Sequence, residues 1–401
     1  MSLIVKKFGG SSVADNDKLR NVAGIVTKSH AEGHQVVVVV SAQGDTTDEL
    51  LEKAAELNSG ASRRELDMLQ ACGEQMSAAL LAITIEKMGF PVISLTGWQA
   101  GMQTDSNHSV ARIKQIDPER VRMELDKNSI VVIAGFQGIN KFGDITTIGR
   151  GGSDTTAVAF AAALKADLCQ IYTDVDGVFT ADPRIVPDAH KLGEISFDEM
   201  LELASLGAQV LASRSVEMAK RFRVKLEVLS SFRNHPGTIV KEVVKMENTQ
   251  VSGVARDNNV ARIALIGLAD APGVAAKIFS LLAQHKLNVD IILQSIGRHD
   301  TKDISFTIAK NGLVAARAVL EEHKDSLGYD HLEVSDTISK VSIVGAGMIN
   351  NPGVAARMFE ALAAASVNIQ MISTSEIKVS VLIDLADSDR AVRAIHQEFF
   401  G

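Results

Sequence analysis

Leu3-Ile4-Val5-Lys6-Lys7-Phe8-Gly9-Gly10-Ser11-Ser12 opens the chain as a strand that runs straight into a pair of glycines. Glycines after a strand let the backbone turn tightly and aim amide N–H groups at one point. Lys7 adds a point charge beside that turn, and a helix-like run follows over residues 16–29. Amides, a helix N-terminus and a lysine together form a seat for a phosphate. Taken alone, the same stretch also reads as a plain turn.

The pattern continues outward from this strand. Further strand-like runs cover residues 35–41, 91–96, 129–135, 168–173 and 225–230, and helix-like runs cover 66–87, 118–127, 155–165, 197–206 and 215–223. Val36 to Val40 and Ile130 to Ile133 are apolar at every position, the mark of strands buried on both faces. Alternation of such strands with helices predicts an α/β sandwich on a mostly parallel sheet.

Composition narrows the function. The 401 residues carry a formal charge of −8, with one Trp and two Tyr, which disfavours nucleic acid as a partner. Cys72 and Cys169 stand far apart without metal-ligand spacing, so no metal site is expected and reduced thiols in a cytoplasm are the default. Lys6 and Lys7 interrupt the N-terminal strand, so no signal peptide is read, and no apolar run is long enough to span a bilayer. A cytoplasmic protein without membrane partners is the expectation.

After His235-Pro236-Gly237 the texture changes, and residues 241–260 read as a polar linker. Beyond it Pro272-Gly273-Val274-Ala275-Ala276-Lys277-Ile278-Phe279 recurs as Pro352-Gly353-Val354-Ala355-Ala356-Arg357-Met358-Phe359. Asn288-Val289-Asp290-Ile291-Ile292 recurs as Asn368-Ile369-Gln370-Met371-Ile372 at the same 80-residue offset, and residues 272–295 and 352–375 share 11 identities in 24 positions. This is a duplicated module of strand, amphipathic helix and strands, a small ferredoxin-like unit. The second copy is shorter than the first. Residues 250–256 are a candidate strand for it, which would interleave the two modules.

A second glycine-rich stretch, Gly149-Arg150-Gly151-Gly152-Ser153-Asp154, leads into the helix near Thr155, with Asp154 a candidate N-cap. It lacks the third glycine of a dinucleotide fingerprint, and the chain has no G-x-x-x-x-G-K-[ST] loop. Together with Lys7-Phe8-Gly9-Gly10-Ser11-Ser12 and Tyr172-Thr173-Asp174-Val175-Asp176-Gly177-Val178, it resembles the signatures of the aspartate kinases. These belong to the amino-acid kinase family and carry paired ACT modules at the C-terminus. The resemblance spans essentially the whole chain.

That resemblance implies a kinase domain over 1–240, the linker over 241–260, and ACT modules over 261–339 and 340–401. It implies transfer of the γ-phosphoryl of ATP, with Mg²⁺ arriving on the nucleotide, to the side-chain carboxylate of L-aspartate. Lys7, with the Gly9 and Gly10 amides, then resembles a phosphoryl clamp, as electrostatic catalysis of this transfer requires. Arg150 resembles the partner of the substrate α-carboxylate and Glu74 that of its ammonium. Ser41, Thr47, Gly151, Gly152 and Ser153 match substrate contacts, and Asp154 a catalytic orienting residue. Glu74 alternatively reads as a solvated helix face, and Thr47 as a helix cap. Phe8, Thr173, Asp174, Phe179, Arg184 and Gln209 fall where the family binds nucleotide. Two departures stand out: Gln209 replaces a common lysine, and Phe179 a common tyrosine.

The family's ACT pairs imply an effector site for threonine or lysine. Asp270, Pro272, Gly273, Ala275, Asn288, Asp290 and Gln294 match it in the first copy, with Asn368 and Ile369 of the second facing them. ACT pairing also implies a homo-oligomer or a complex with a separate regulatory subunit. A kinase for another acid such as glutamate, and a non-catalytic amino-acid sensor, are the competing readings.

Overall fold

The structure is a computed structural model that describes residues 2–208, 210–242, 251–297 and 300–401. Two compact units emerge from it. The first comprises residues 1–179, 190–205 and 209–246, and the second residues 180–189, 206–208 and 247–401.

The first unit is built on an eight-stranded sheet in the order Glu194–Ser196, Thr238–Lys241, Leu226–Ser230, Leu168–Thr173, Leu3–Phe8, Gln35–Val40, Ile130–Ala134, Val92–Leu95. Every pairing is parallel except that of Leu226–Ser230 with Thr238–Lys241. Val36 to Val40 are all fully buried, as an uninterrupted apolar strand demands. The opening strand sits where the order of the strands reverses: Phe8 is level with Val40 on one side and with Tyr172 on the other. Gly9 and Ser41 therefore leave the sheet beside Thr173 at its carboxyl edge, the edge where open α/β sheets bind ligands.

Helices cover the sheet. Asn16–Ala31 is capped by Asp15, whose side chain accepts from the Asp17 and Lys18 amides. Its first amides are thus already engaged, and a 3₁₀ turn over Gly10–Ser12 separates it from the glycine pair. The expectation that this helix start holds a phosphate is corrected accordingly. Thr46–Leu57, Arg63–Lys87 and Gly152–Leu164 are the helices that bring side chains to the site. A small four-stranded sheet, Ile113–Ile116, Met102–Thr104, Gln137–Ile139 and Ile145–Thr147, was not foreseen, because strands this short carry too little periodicity to read.

The second unit holds two four-stranded sheets, each with helices on it. One runs Ile292–Gln294, Thr301–Ala309, Val260–Ala269, His331–Ser335, over a core that includes Ile263, Leu265, Ile278, Leu282 and Phe306. The other runs Gly253–Asp257, Ile338–Val344, Lys378–Asp384, Met371–Thr374. Gly253–Asp257 precedes the first repeat in the chain yet pairs antiparallel with Ile338–Val344 of the second. Gln250, where that candidate strand began, lies outside the described residues. Helix Val274–Gln284 and its repeat Val354–Ala364 both start after a glycine at positive φ, Gly273 at 93° and Gly353 at 97°. Ala181, Ile185 and Val186 are buried in the same apolar cluster as Val341, Met358 and Ile395.

Candidate active site

Alternation along the opening strand decides which lysine meets the cleft. Lys6 is buried against Gln170, its Nζ 2.5 Å from Oε1, and burial pulls its ammonium down to about 8. Lys7 points the other way, with Nζ 2.6 Å from Asp154 Oδ1 and both side chains 12% exposed. Phe8 is fully buried and stacks on Tyr172 at 4.5 Å between ring centroids. Only its backbone is therefore available to a nucleotide. Gly10 is required by close approach: a Cβ there would lie 2.7 Å from the Ala42 carbonyl oxygen.

Helix Arg63–Lys87 brings the carboxylate. Gly73 lets it press against the loop after Gln35–Val40, since a Cβ at Gly73 would meet Ala42 Cβ at 2.8 Å. Glu74 is thereby buried, 4% exposed, and accepts from the Ala42 amide at 3.2 Å through Oε1. Its Oε2 is buried without a hydrogen-bond partner. Desolvation raises its pKa to about 7, against the lowering effect of the Ala42 amide. Glu74 is therefore not a solvated helix face.

Helix Gly152–Leu164 supplies the opposite wall. Gly151 occupies the cap position at φ 70°, with no side-chain cap bond. Asp154 does not cap the helix, as its sequence position suggested, but lies inside the first turn and turns toward Lys7. Arg150 is exposed just before the glycines. Thr47 also proves not to be a cap; it lies within helix Thr46–Leu57, behind Asp45.

These groups meet in one cleft of about 280 Å³. Lys7, Gly9 and Gly10 line it with Ser41, Thr47 and Glu74, and with Arg150, Gly151, Gly152, Ser153 and Asp154. Gly149, the first residue of the glycine-rich stretch, also lines it, as does Phe136, which was missed in the sequence. A strand end at Ala134 followed by Gly135 was the available signal for Phe136, which adopts a positive φ of 68°. The volume suits a small polar substrate with one end of a second molecule. A buried, unpartnered carboxylate favours a cation, an exposed guanidinium a carboxylate, and Lys7 with a helix start a phosphoryl group.

The residues expected at the nucleotide are less gathered. Thr173 ends its strand and donates its hydroxyl to Asp174 at 3.0 Å, at the edge that Gly9 shares but outside the cleft lining. Phe179 bridges to Lys191. Arg184 belongs to the second unit, is exposed, and pairs with Asp182 at 2.7 Å. Gln209 lies outside the described residues. Among the described residues no cluster of His, Cys, Asp and Glu could hold a metal ion. No helix among them is long and apolar enough to cross a membrane.

The expected effector residues all lie in the second unit. Asp270 pairs with Lys302 at 3.1 Å, and Asp290 with Lys340 of the second repeat at 2.5 Å. Pro272, Gly273, Asn288, Gln294 and Asn368 are exposed, and Ala275 and Ile369 half-buried.

Residues 2–230 match the amino acid kinase family, and residues 263–323 and 341–399 match the ACT domain. The chain is 50% identical over 400 residues to the aspartokinase of Bacillus sp. (strain MGA3), covering 100% of this chain and 97% of that one. Among solved structures it resembles E. coli aspartokinase III in complex with aspartate and ADP (R-state), at a TM-score of 0.84 and 26% identity over 100% of both chains. It also resembles the same enzyme in complex with lysine and aspartate (T-state), at a TM-score of 0.78 and 25% identity over 100% of both chains. The chain belongs to the aspartokinases, kinases of the amino acid kinase family that carry ACT domains.

Proposed function

We propose that the chain transfers the γ-phosphoryl group of ATP to the side-chain carboxylate of L-aspartate, giving 4-phospho-L-aspartate, the first step toward lysine, threonine and methionine. The observation that carries this reading is Glu74 Oε2, buried and unpartnered in the cleft that Lys7 and Arg150 share. An α-amino acid brings an ammonium to Glu74 and an α-carboxylate to Arg150. Its side-chain carboxylate is then left free to face Lys7. Ser41, Thr47 and the Gly151–Ser153 amides complete the substrate's contacts.

A side-chain oxygen of aspartate forms the new O–P bond while the bond from γ-phosphorus to the bridging oxygen breaks and ADP leaves. No proton has to move at the carboxylate. Lys7 and the Gly9 and Gly10 amides offset the charge on the transferring group, and Asp154 orients Lys7 through their ion pair. Mg²⁺ would arrive on the nucleotide phosphates and offset their charge. The resemblance to the family assigns the nucleotide's side to Thr173, Asp174, Phe179, Arg184 and Gln209, with the Phe8 backbone.

The ACT pair acts as an effector sensor for threonine or lysine. Asp270, Asp290 and Gln294 are its polar contacts in the first repeat, with Asn288, Pro272, Gly273 and Ala275 around them and Asn368 and Ile369 opposite. Assembly through ACT modules, with a second copy or a separate regulatory subunit, accompanies that role. The likeness to E. coli aspartokinase III in its complex with lysine and aspartate supports the lysine reading.

The test is ADP release dependent on aspartate, with hydroxylamine present to trap the acyl phosphate as a hydroxamate. Aspartate should give both signals, and glutamate and N-acetylglutamate neither. ADP release without aspartate dependence, across trials with threonine and lysine present or absent, would sink the proposal.

A further inference from the structure

Asp67 is fully buried on helix Arg63–Lys87, two turns before Glu74, and no catalytic step uses it. Its carboxylate is nonetheless saturated with donors. Oδ1 accepts from the Thr147 hydroxyl at 2.7 Å, the Ser109 hydroxyl at 3.2 Å and the Ser109 amide at 3.0 Å. Oδ2 accepts from the Thr147 amide at 3.0 Å, the Ser109 amide at 2.9 Å and His108 Nδ1 at 3.0 Å. A buried carboxylate with this many donors fixes the backbone it touches. Ser109 is held at a φ of 68°, a conformation a serine seldom adopts without such support.

Both anchored segments lead to Arg150. Thr147 precedes it by three residues, and the Ser109 carbonyl oxygen lies 3.2 Å from where a Cβ of Gly149 would sit. The two segments are also clamped from the other side. Arg214 donates Nη1 to the Ile148 carbonyl at 2.9 Å and Nη2 to the Ala111 carbonyl at 3.0 Å. The Ala111 amide donates to the Thr147 carbonyl at 3.0 Å, tying the two segments to each other. The loop that carries Arg150 is therefore pinned at its base by a carboxylate at one step and a guanidinium at the next.

We infer that Asp67, with Arg214 opposite, is a positioning residue that sets the affinity for aspartate by holding the base of the Arg150 loop. This rests on the proposed role of Arg150 toward the substrate α-carboxylate. Asp67 touches neither substrate nor nucleotide; it acts through Thr147 and Ser109. Replacing one carboxylate oxygen by an amide nitrogen turns a donor toward donors and releases the loop.

The test is steady-state kinetics of the full chain for Asp67→Asn, Thr147→Val, Thr147→Ser and Arg150→Ala. In Asp67→Asn the KM for aspartate should rise about tenfold or more, as small displacements of a binding group do. The KM for ATP should stay within about twofold, since the nucleotide seat is on another loop. Thr147→Val should raise the aspartate KM in the same direction, and Thr147→Ser, which keeps the hydroxyl, should restore it. If Asp67→Asn does not fold, the Thr147 pair decides by the same readout. A merely structural Asp67 would lower kcat through lost folded enzyme and leave the aspartate KM unchanged in Asp67→Asn and Thr147→Val, overturning the inference. Arg150→Ala separates the two readings. If it leaves the aspartate KM unchanged, the role of Arg150 falls; if it raises KM and the other variants do not, the brace falls.

Discussion

Burial sets Glu74 against the stability of the fold and in favour of the substrate. Desolvation raises its pKa from an ordinary 4.5 to about 7, which corresponds to roughly 3 kcal/mol between the two protonation states. The sign follows from proton linkage: the folded chain holds this proton more tightly than the unfolded chain does. The contribution is fully present below pH 4.5 and is lost progressively as pH rises to about 7. Glu74→Gln should therefore be more stable than the parent chain at pH 8, with the difference shrinking toward pH 5, as urea melts across that range will reveal. Binding runs the opposite way, because an aspartate ammonium is attracted only to the ionised carboxylate. As pH rises toward 7 the aspartate KM should fall by up to about tenfold per pH unit, then level off, while in Glu74→Gln it should be high and flat. A parent KM that does not change between pH 6 and 8 would remove Glu74 from the ammonium site.

At the scale of an element, the decisive feature is the start of helix Gly152–Leu164. Gly151 combines a φ of 70° with a virtual Cβ only 2.3 Å from Ala212 Cβ, so an added methyl meets both strain and collision. Gly143 has a comparable φ of 84° but open space around it. Gly143→Ala should cost about 1 kcal/mol, and Gly151→Ala about 3 kcal/mol with a large loss of aspartate-dependent turnover. Equal melting temperatures for the two variants would show that collision with Ala212 does not matter. The sequence disclosed this helix and its glycines, because apolar runs, glycine turns and a repeat are local signals. It did not disclose that Asp154 would turn from capping to pairing with Lys7, since that contact joins a strand and a helix far apart in the chain. Nor did it disclose Asp67, which reads as one more polar helix position until the strand Ile145–Thr147 is packed on it. Three-residue strands and buried long-range hydrogen bonds leave no periodic trace, and that is where legibility ends.

At the scale of the whole molecule, neither unit is one continuous stretch of chain. Residues 180–189 leave the first unit and join the second, where Ala181, Ile185 and Val186 are buried among the apolar side chains of the second repeat. The Thr180 carbonyl accepts from the Val254 amide at 2.7 Å, and the Ile185 carbonyl from Arg393 Nε at 3.1 Å. This segment directly follows residues 173–179, where the nucleotide residues are expected, so an effector that reorganises the second repeat pulls on a segment covalently continuous with them. Linkage then requires reciprocity in binding. If threonine or lysine weakens aspartate binding by some factor, aspartate must weaken that effector by the same factor, in the range of about 5 to 150 for a coupling of about 1–3 kcal/mol. Titration calorimetry of each amino acid, with and without saturating aspartate and ADP, measures both legs. Asp290→Ala should weaken effector binding itself, because it removes the carboxylate that Lys340 now holds at 2.5 Å. Ile185→Ala should instead leave the effector's affinity for the free chain nearly intact and shrink the coupling factor toward one, because it loosens the shared segment and not the ligand's contacts. Ile185→Ala that lowered effector affinity while keeping the coupling factor would place residues 180–189 in the sensor's own stability and not in the path between the sites.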